Sequence, residues 1–417
     1  MSNHPFRPLR RREVRLIWSA AAISDIGTWV QLIVVGSLVA ADTGSAVQTG
    51  LVALATFMPQ GIASPIGGIL ADRFDRRRVF ARALLLQACM TGCLAIALGA
   101  GVRAPAVLTA IILLGSAAGA LGQPSYAAML PDLVPPDELV AMVSLGVYSW
   151  NSGRVFGPLI GTVLAAAVGP AWTIGFNAIT FVGLSIAVWA VRRPFAPHGS
   201  DGTIGERLVG GWRALRTTYS CWFAVVALVL FNLTIVPFMG LIPIYARAEF
   251  KGGTGLAGLI SSAQGIGAIV GGITITMLAA RRRRSDLVAG VVVLLAVALA
   301  CYAVAPTVAA VAVAAMVLGA GSSCMFVTVS AILQRDAPLA SRGRVLAMMQ
   351  AFMGVSYGCG LLFIGSIADL ANLRIAFLVG AVCLPVGFFV LTRRARSWRA
   401  AIDGADVMVS RQVVTAS

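Results

Sequence analysis

The sequence predicts an all-α integral membrane protein with twelve transmembrane helices in two six-helix parallel repeats. Three observations predict it. Of 417 residues, 59% are hydrophobic and only 12% are charged, roughly half the charged share of a soluble domain. The apolar residues fall into twelve runs of spanning length, and the second half of the chain repeats motifs of the first at a shift of about 204 residues. A soluble globule is excluded.

A helix rising 1.5 Å per residue crosses a bilayer core of about 30 Å in roughly 20 residues. Runs of that kind lie at 15–40, 47–70, 79–99, 105–129, 139–168, 171–191, 219–246, 255–279, 286–304, 307–333, 343–369 and 373–392. The first follows arginines, as a signal peptide would, but Asp25 interrupts it and it is too long for an h-region, so it is read as span one. The stretch 194–218 is the longest polar interruption and reads as a cytoplasmic linker. It separates a bundle at 15–193 from a bundle at 219–392, with tails at 1–14 and 393–417. The tail after Arg399 is polar and is expected to be disordered.

The formal net charge of +16 takes its meaning from where the basic residues sit. With the N-terminus inside, 27 of the 32 Lys and Arg fall in cytoplasmic loops and tails. Only Arg103, Lys251, Arg247 and Arg374 fall outside, and Arg154 lies within a span. Both termini are therefore expected in the cytoplasm. Topology accounts for the basic clusters, so a nucleic-acid partner is not expected. The seven cysteines lie in apolar runs without CxxC spacing, and the two histidines, His4 and His198, lie outside them. Neither a metal centre nor a cofactor is expected.

The repeat is specific. Thr49-Gly50-Leu51 returns as Thr254-Gly255-Leu256, Gln60-Gly61-Ile62 as Gln264-Gly265-Ile266, and Gly67-Gly68-Ile69 as Gly271-Gly272-Ile273. Trp18, Ala20 and Gly36 match Trp222, Ala224 and Gly240. An even number of spans per repeat gives both halves the same orientation, related by an axis along the membrane normal.

Motifs then point to a family. The run from Gly68 to Arg77, through Asp72, Arg73 and Arg76, resembles the loop signature G-x-L-A-D-R-x-G-R-K of the major facilitator superfamily, with Asp75 where the family has glycine. There Gly68 would let a neighbouring helix approach, and Asp72 would cap a helix or pair with arginine. Gly153-Arg154-Val155-Phe156-Gly157-Pro158-Leu159-Ile160-Gly161 resembles the G-x-x-x-G-P-x-x-G motif that the superfamily associates with antiporters. Small residues four apart allow close packing and Pro158 would bend the helix, a hinge or seal between halves. Residues 24–31 and 130–135 resemble the subfamily of the bacterial enterobactin exporter and macrolide efflux proteins. The resemblance implies two rocking bundles, an exported cargo and a place in the inner (plasma) membrane of a bacterium.

Asp25 and Arg154 should lie near the midplane, where an unpaired charge costs about 2.5 to 3.5 kcal/mol. Either they form a structural ion pair, if spans one and five pack together, or Asp25 titrates while Arg154 tunes it or binds anionic substrate. Trp29 and Asn151, one turn from each, share their faces. Gln31, Gln123, Asn232, Gln264, Gln350 and Tyr357 are weaker cavity candidates. A mostly apolar cavity suits an amphipathic molecule better than a sugar.

The expected function is secondary active transport by a monomer, a proton-coupled antiporter exporting drugs, siderophores or secreted metabolites. The alternative is an importer or uniporter without proton coupling. Partners are then lipid, protons and a small-molecule substrate. An enzyme is not expected, since no G-x-S-x-G, H-E-x-x-H or phosphate loop is present. The charge asymmetry makes one direct prediction. Reporters fused at residues 1 and 417 should read as cytoplasmic and a tag beside Lys251 as extracytoplasmic; labelling at 251 from the cytoplasm alone would contradict it.

Overall fold

The computed structural model describes residues 6–191, 195, 204–279, 282–338, 341–394 and 398–404. Every regular element among them is helical. The first unit carries α1 (Arg12–Thr43), α2 (Ala46–Arg73), α3 (Arg76–Gly99), α4 (Pro105–Met129) and α5 (Leu139–Ala190). Next come α6 (Ile204–Thr217), α7 (Tyr219–Thr234), α8 (Pro237–Phe250) and α9 (Thr254–Ala279). The chain continues with α10 (Arg284–Val304), α11 (Val308–Asp336), α12 (Arg342–Leu370), α13 (Leu373–Arg394) and α14 (Trp398–Asp403).

Eleven stretches among the described residues are long and apolar enough to cross a membrane. One of them, Pro136–Ala190, has 55 residues, more than twice what a crossing needs. Gly169 interrupts it with φ 83°, a left-handed conformation that Gly adopts without strain, and Pro170 follows. The two arms of α5 are the fifth and sixth spans. The break falls between the runs expected at 139–168 and 171–191, and it brings the crossings to twelve. The seventh span is discontinuous, α7 and α8 meeting at Ile235–Val236.

By contacts the chain divides into a unit of residues 1–204 with 240–262 and a unit of 205–239 with 263–417. The first has a core cluster in Ile17, Phe80, Leu84, Met129, Leu145 and Phe181. Its chain start is tied down by charge. Glu138 is 4% exposed and receives Arg7 at 3.1 Å and Arg11 at 3.2 Å, while the Trp18 indole donates to the Leu145 carbonyl at 2.8 Å.

The linker and the tail expected to be disordered are partly helical. Within the linker, α6 packs on the second unit because its apolar side is aromatic: Trp212 meets Trp222 edge-on at 5.5 Å and Leu215 is fully buried. Beyond Arg399 the helix continues to Asp403 because that end of the tail is not uniformly polar. Trp398 stacks on Phe223 at 5.2 Å and Ile402 is fully buried. Asp403 then accepts from the Ser285 amide at 3.0 Å and its hydroxyl at 2.7 Å, at the N-terminus of α10, where helix amides lack partners. The tail beyond 404 and most of 192–203 lie outside the described residues.

Since hydrogen bonds to a charged group contribute about 2 kcal/mol, Asp403→Ala should lower the thermal midpoint of the detergent-solubilised protein by several degrees. An unchanged midpoint would show that α14 adds nothing to the second unit.

Candidate functional site

The candidate site lies on the seam between α1 and α5. Ser149, Gly153, Gly157 and Gly161 are spaced by four and occupy one face of α5. A Cβ added at Gly153 would stand 2.8 Å from the Asp25 carbonyl carbon. At Gly157 it would stand 2.9 Å from the Ile26 oxygen, and at Gly161 3.2 Å from Val30 Cα. The two helices thus meet backbone to backbone, and only glycine leaves the room.

That closeness sets the surroundings of each predicted residue. Asp25 is half-buried and accepts a hydrogen bond from the hydroxyl of Ser149, itself 2% exposed. Trp29 is buried against Phe57 and Trp150, with ring centroids 5.8 and 5.6 Å away. Its indole Nε1 has no hydrogen-bond partner among the described residues. The guanidinium of Arg154 lies 5.8 Å from the Trp29 ring centroid, within cation–π range. Asp25, Trp29 and Arg154 are therefore brought together. Asn151 is on the same turn, but its amide donates to Val147 of its own helix at 2.9 Å.

The weaker candidates scatter. Gln31 accepts from Asn177 at 3.0 Å and lines a small pocket with Gln87, Thr91 and Ser116. Gln123 and Gln350 are exposed. Asn232 is buried and spends its amide on the Leu228 carbonyl at 2.9 Å. Gln264 and Tyr357 are buried in the second unit.

A second face of α5 carries residues 240–262 of the first unit. The Thr162 hydroxyl donates to the Thr254 carbonyl at 3.1 Å and Ser262 to the Val155 carbonyl at 2.6 Å. A Cβ on Gly258 would stand 2.9 Å from the Pro158 oxygen. The non-helical break in α5 comes at Gly169, eleven residues past Pro158 and at the junction of the fifth and sixth spans, while Pro158 lies within the helix.

The loop between α2 and α3 corrects one expectation and explains a departure. Around Gly68 an added Cβ would meet nothing within 4 Å, and the close approach falls at Gly67, against the Leu121 backbone of α4. Sequence alone could not choose between adjacent glycines, because the choice depends on the azimuth of α2. Asp75, standing where the family has glycine, is the N-cap of α3 and accepts from the Arg78 amide at 3.1 Å. Arg76 is buried, pairing with Asp132 at 3.4 Å and donating to the Ala128 carbonyl at 3.3 Å. Arg77 donates to the Val191 carbonyl at 2.7 Å and lies 5.4 Å from the Trp189 centroid. Arg73 is exposed and Asp72 half-buried.

Sequence reasoning missed Ser149, Asp132 and Glu138. Ser149 had a usable signal, since it extends the four-residue spacing of the glycines by one step. Overpacking costs about 1 to 3 kcal/mol, so Gly157→Val should cut transport at least tenfold and lower the thermal midpoint, and Gly67→Ala should lower the midpoint too. Gly68→Ala should leave the midpoint unchanged. Equal effects at 67 and 68 would contradict the placement of α2.

Comparisons with known proteins agree with this architecture. Residues 3–414 match the family described as transmembrane secretion effectors, within the major facilitator superfamily. The multidrug efflux pump Tap of Mycobacterium tuberculosis is 30% identical over 387 residues, covering 89% of this chain and 90% of that protein. The enterobactin exporter EntS of Salmonella typhimurium is 30% identical over 188 residues, 44% of this chain and 45% of its own. The crystal structure of the nucleoside transporter NupG superposes with a TM-score of 0.68 at 14% identity, covering 92% of this chain and 99% of that one. A D-xylose-proton symporter superposes with a TM-score of 0.67 at 15% identity, covering 91% and 97%. Those two likenesses concern the fold alone. The chain is a multi-pass transporter, not an enzyme, and belongs to the transmembrane secretion effector family of the major facilitator superfamily.

Proposed function

We propose that this transporter is a proton-coupled antiporter that exports small amphipathic molecules, drugs, siderophores or secreted metabolites, by alternating access. Asp25 is the titrating carboxylate, and Arg154 and Trp29 contact the substrate or tune the carboxylate from α5 and α1. The observation that carries the reading is Asp25 on the seam, beside Ser149 and the glycines of the antiporter motif. A midplane carboxylate is costly to keep, and reversible protonation is a reason to keep it. The similarity to Tap and EntS supports export. Gly153, Gly157, Pro158 and Gly161 act as the conformational seam, and Gly67 to Arg77 position the cytoplasmic loop. The protein functions as a monomer in a bacterial inner membrane with both termini inside, and nucleic acid has no part in its action.

The deciding experiment compares accumulation of a panel of dyes, antibiotics and siderophores in cells with and without the protein, before and after a protonophore. Asp25→Asn should abolish gradient-driven efflux and leave energy-independent exchange measurable. In the double variant Asp25→Asn with Arg154→Gln, relief of an uncompensated charge should restore stability but not transport. Restored transport would make the residues a structural pair only, and unchanged gradient-driven efflux in the single variant would remove Asp25 from the mechanism.

A further inference from the structure

The seam holds a residue with no assigned part in transport. Ser149 is 2% exposed, one turn before Gly153, and its hydroxyl donates to the Asp25 carboxylate across the helix pair. Serine hydroxyls in helices usually turn back to a carbonyl of their own helix, as Ser322 and Ser356 do here to Leu318 and Phe352. Ser149 instead crosses to the one acidic side chain in the middle of α1.

We propose that Ser149 is a positioning residue for proton coupling: it holds the Asp25 carboxylate in the orientation that receives the transported proton and favours its ionised form. The inference rests on the reading of Asp25 as the proton carrier. A hydroxyl donates to a carboxylate, so the bond is strong when Asp25 is ionised. A protonated carboxyl is a weaker acceptor and is itself a donor, so protonation loosens or reverses the link. The same bond spans α1 and α5, which ties the charge state of Asp25 to the packing of the seam.

Few other charges compete for this role. From α5, Arg154 lies over Trp29. From α4, Tyr126 is within electrostatic reach of Asp25, its ring stacked on Phe80. From α2, the only ionisable residues are Asp72 and Arg73 in its last turn. Arg7, Arg11 and Glu138 form their own cluster at the start of α1 and α5, more than ten residues or about 15 Å of helix from Asp25.

The spectroscopic titration needs no identified cargo. Purified protein is titrated by infrared difference spectroscopy, following the carboxylic C=O band that Asp25→Asn removes, and ethidium efflux from cells is recorded against external pH. Ser149→Ala should move the midpoint of the band, and the pH midpoint of efflux, up by about one unit, because the ionised form has lost a donor. Ser149→Thr, which keeps the hydroxyl, should restore both midpoints, and Ser149→Cys, a weak donor of similar size, should fall between. If Ser149→Ala does not fold, the Thr and Cys variants still order the midpoints. Midpoints in Ser149→Ala or Ser149→Cys equal to wild type would overturn the positioning role and leave Asp25 as carrier. A spectrum in which Asp25→Asn removes no band would overturn the carrier itself, and this inference with it.

Discussion

The backbone contact between α1 and α5 is the constraint on which the site depends. In a bilayer, lipid tails are as apolar as leucine, so helices gain little from burying apolar surface and associate through close packing and polar links. The stripe Ser149, Gly153, Gly157 and Gly161 lets the α1 backbone come within van der Waals contact over three turns. That approach buries Trp29, sets Arg154 across its ring and leaves Asp25 facing a hydroxyl in place of lipid. A larger residue on the stripe would separate the helices and expose the carboxylate to a medium that penalises it.

Several helix ends are held by a different kind of interaction, charged side chains on one another or on backbone groups. In the first unit Glu138 gathers Arg7 and Arg11, Arg76 joins α3 to the loop after α4, and Arg77 reaches the end of α5. In the second, Asp403 closes the open amides of α10, and the Arg335 guanidinium, paired with Asp336, donates to the Ile402 carbonyl at 2.7 Å. Basic residues thus fasten loops by their hydrogen bonds. The α1–α5 seam, by contrast, is ordered by small residues and by the Ser149–Asp25 hydrogen bond.

Much of this was legible in the sequence, because membrane helices must be long, apolar and internally hydrogen-bonded. Twelve runs follow from that rule, the glycine spacing in span five was plain in the residues, and the break at Gly169 falls where two runs met. What was hidden depends on azimuth and on distant partners. Whether Gly67 or Gly68 faces α4 is a rotation of about 100° on a helix of 3.6 residues per turn. Asp75 as a cap, Asp132 as the partner of Arg76, and the docking of Trp398 each need a neighbour more than one element away or a local turn geometry. Ser149 lay in between, since its spacing was visible and its bond to Asp25 was not.

The central claim is that export is exchanged for protons at the α1–α5 seam, and proton movement tests it most directly. Wild-type protein is reconstituted in liposomes that enclose a pH-sensitive dye, with equal pH on both sides, and a substrate found by the accumulation panel is added outside. The account predicts a substrate-dependent proton flux opposite in direction to the substrate, absent from protein-free liposomes. Substrate movement with no accompanying proton flux would contradict it.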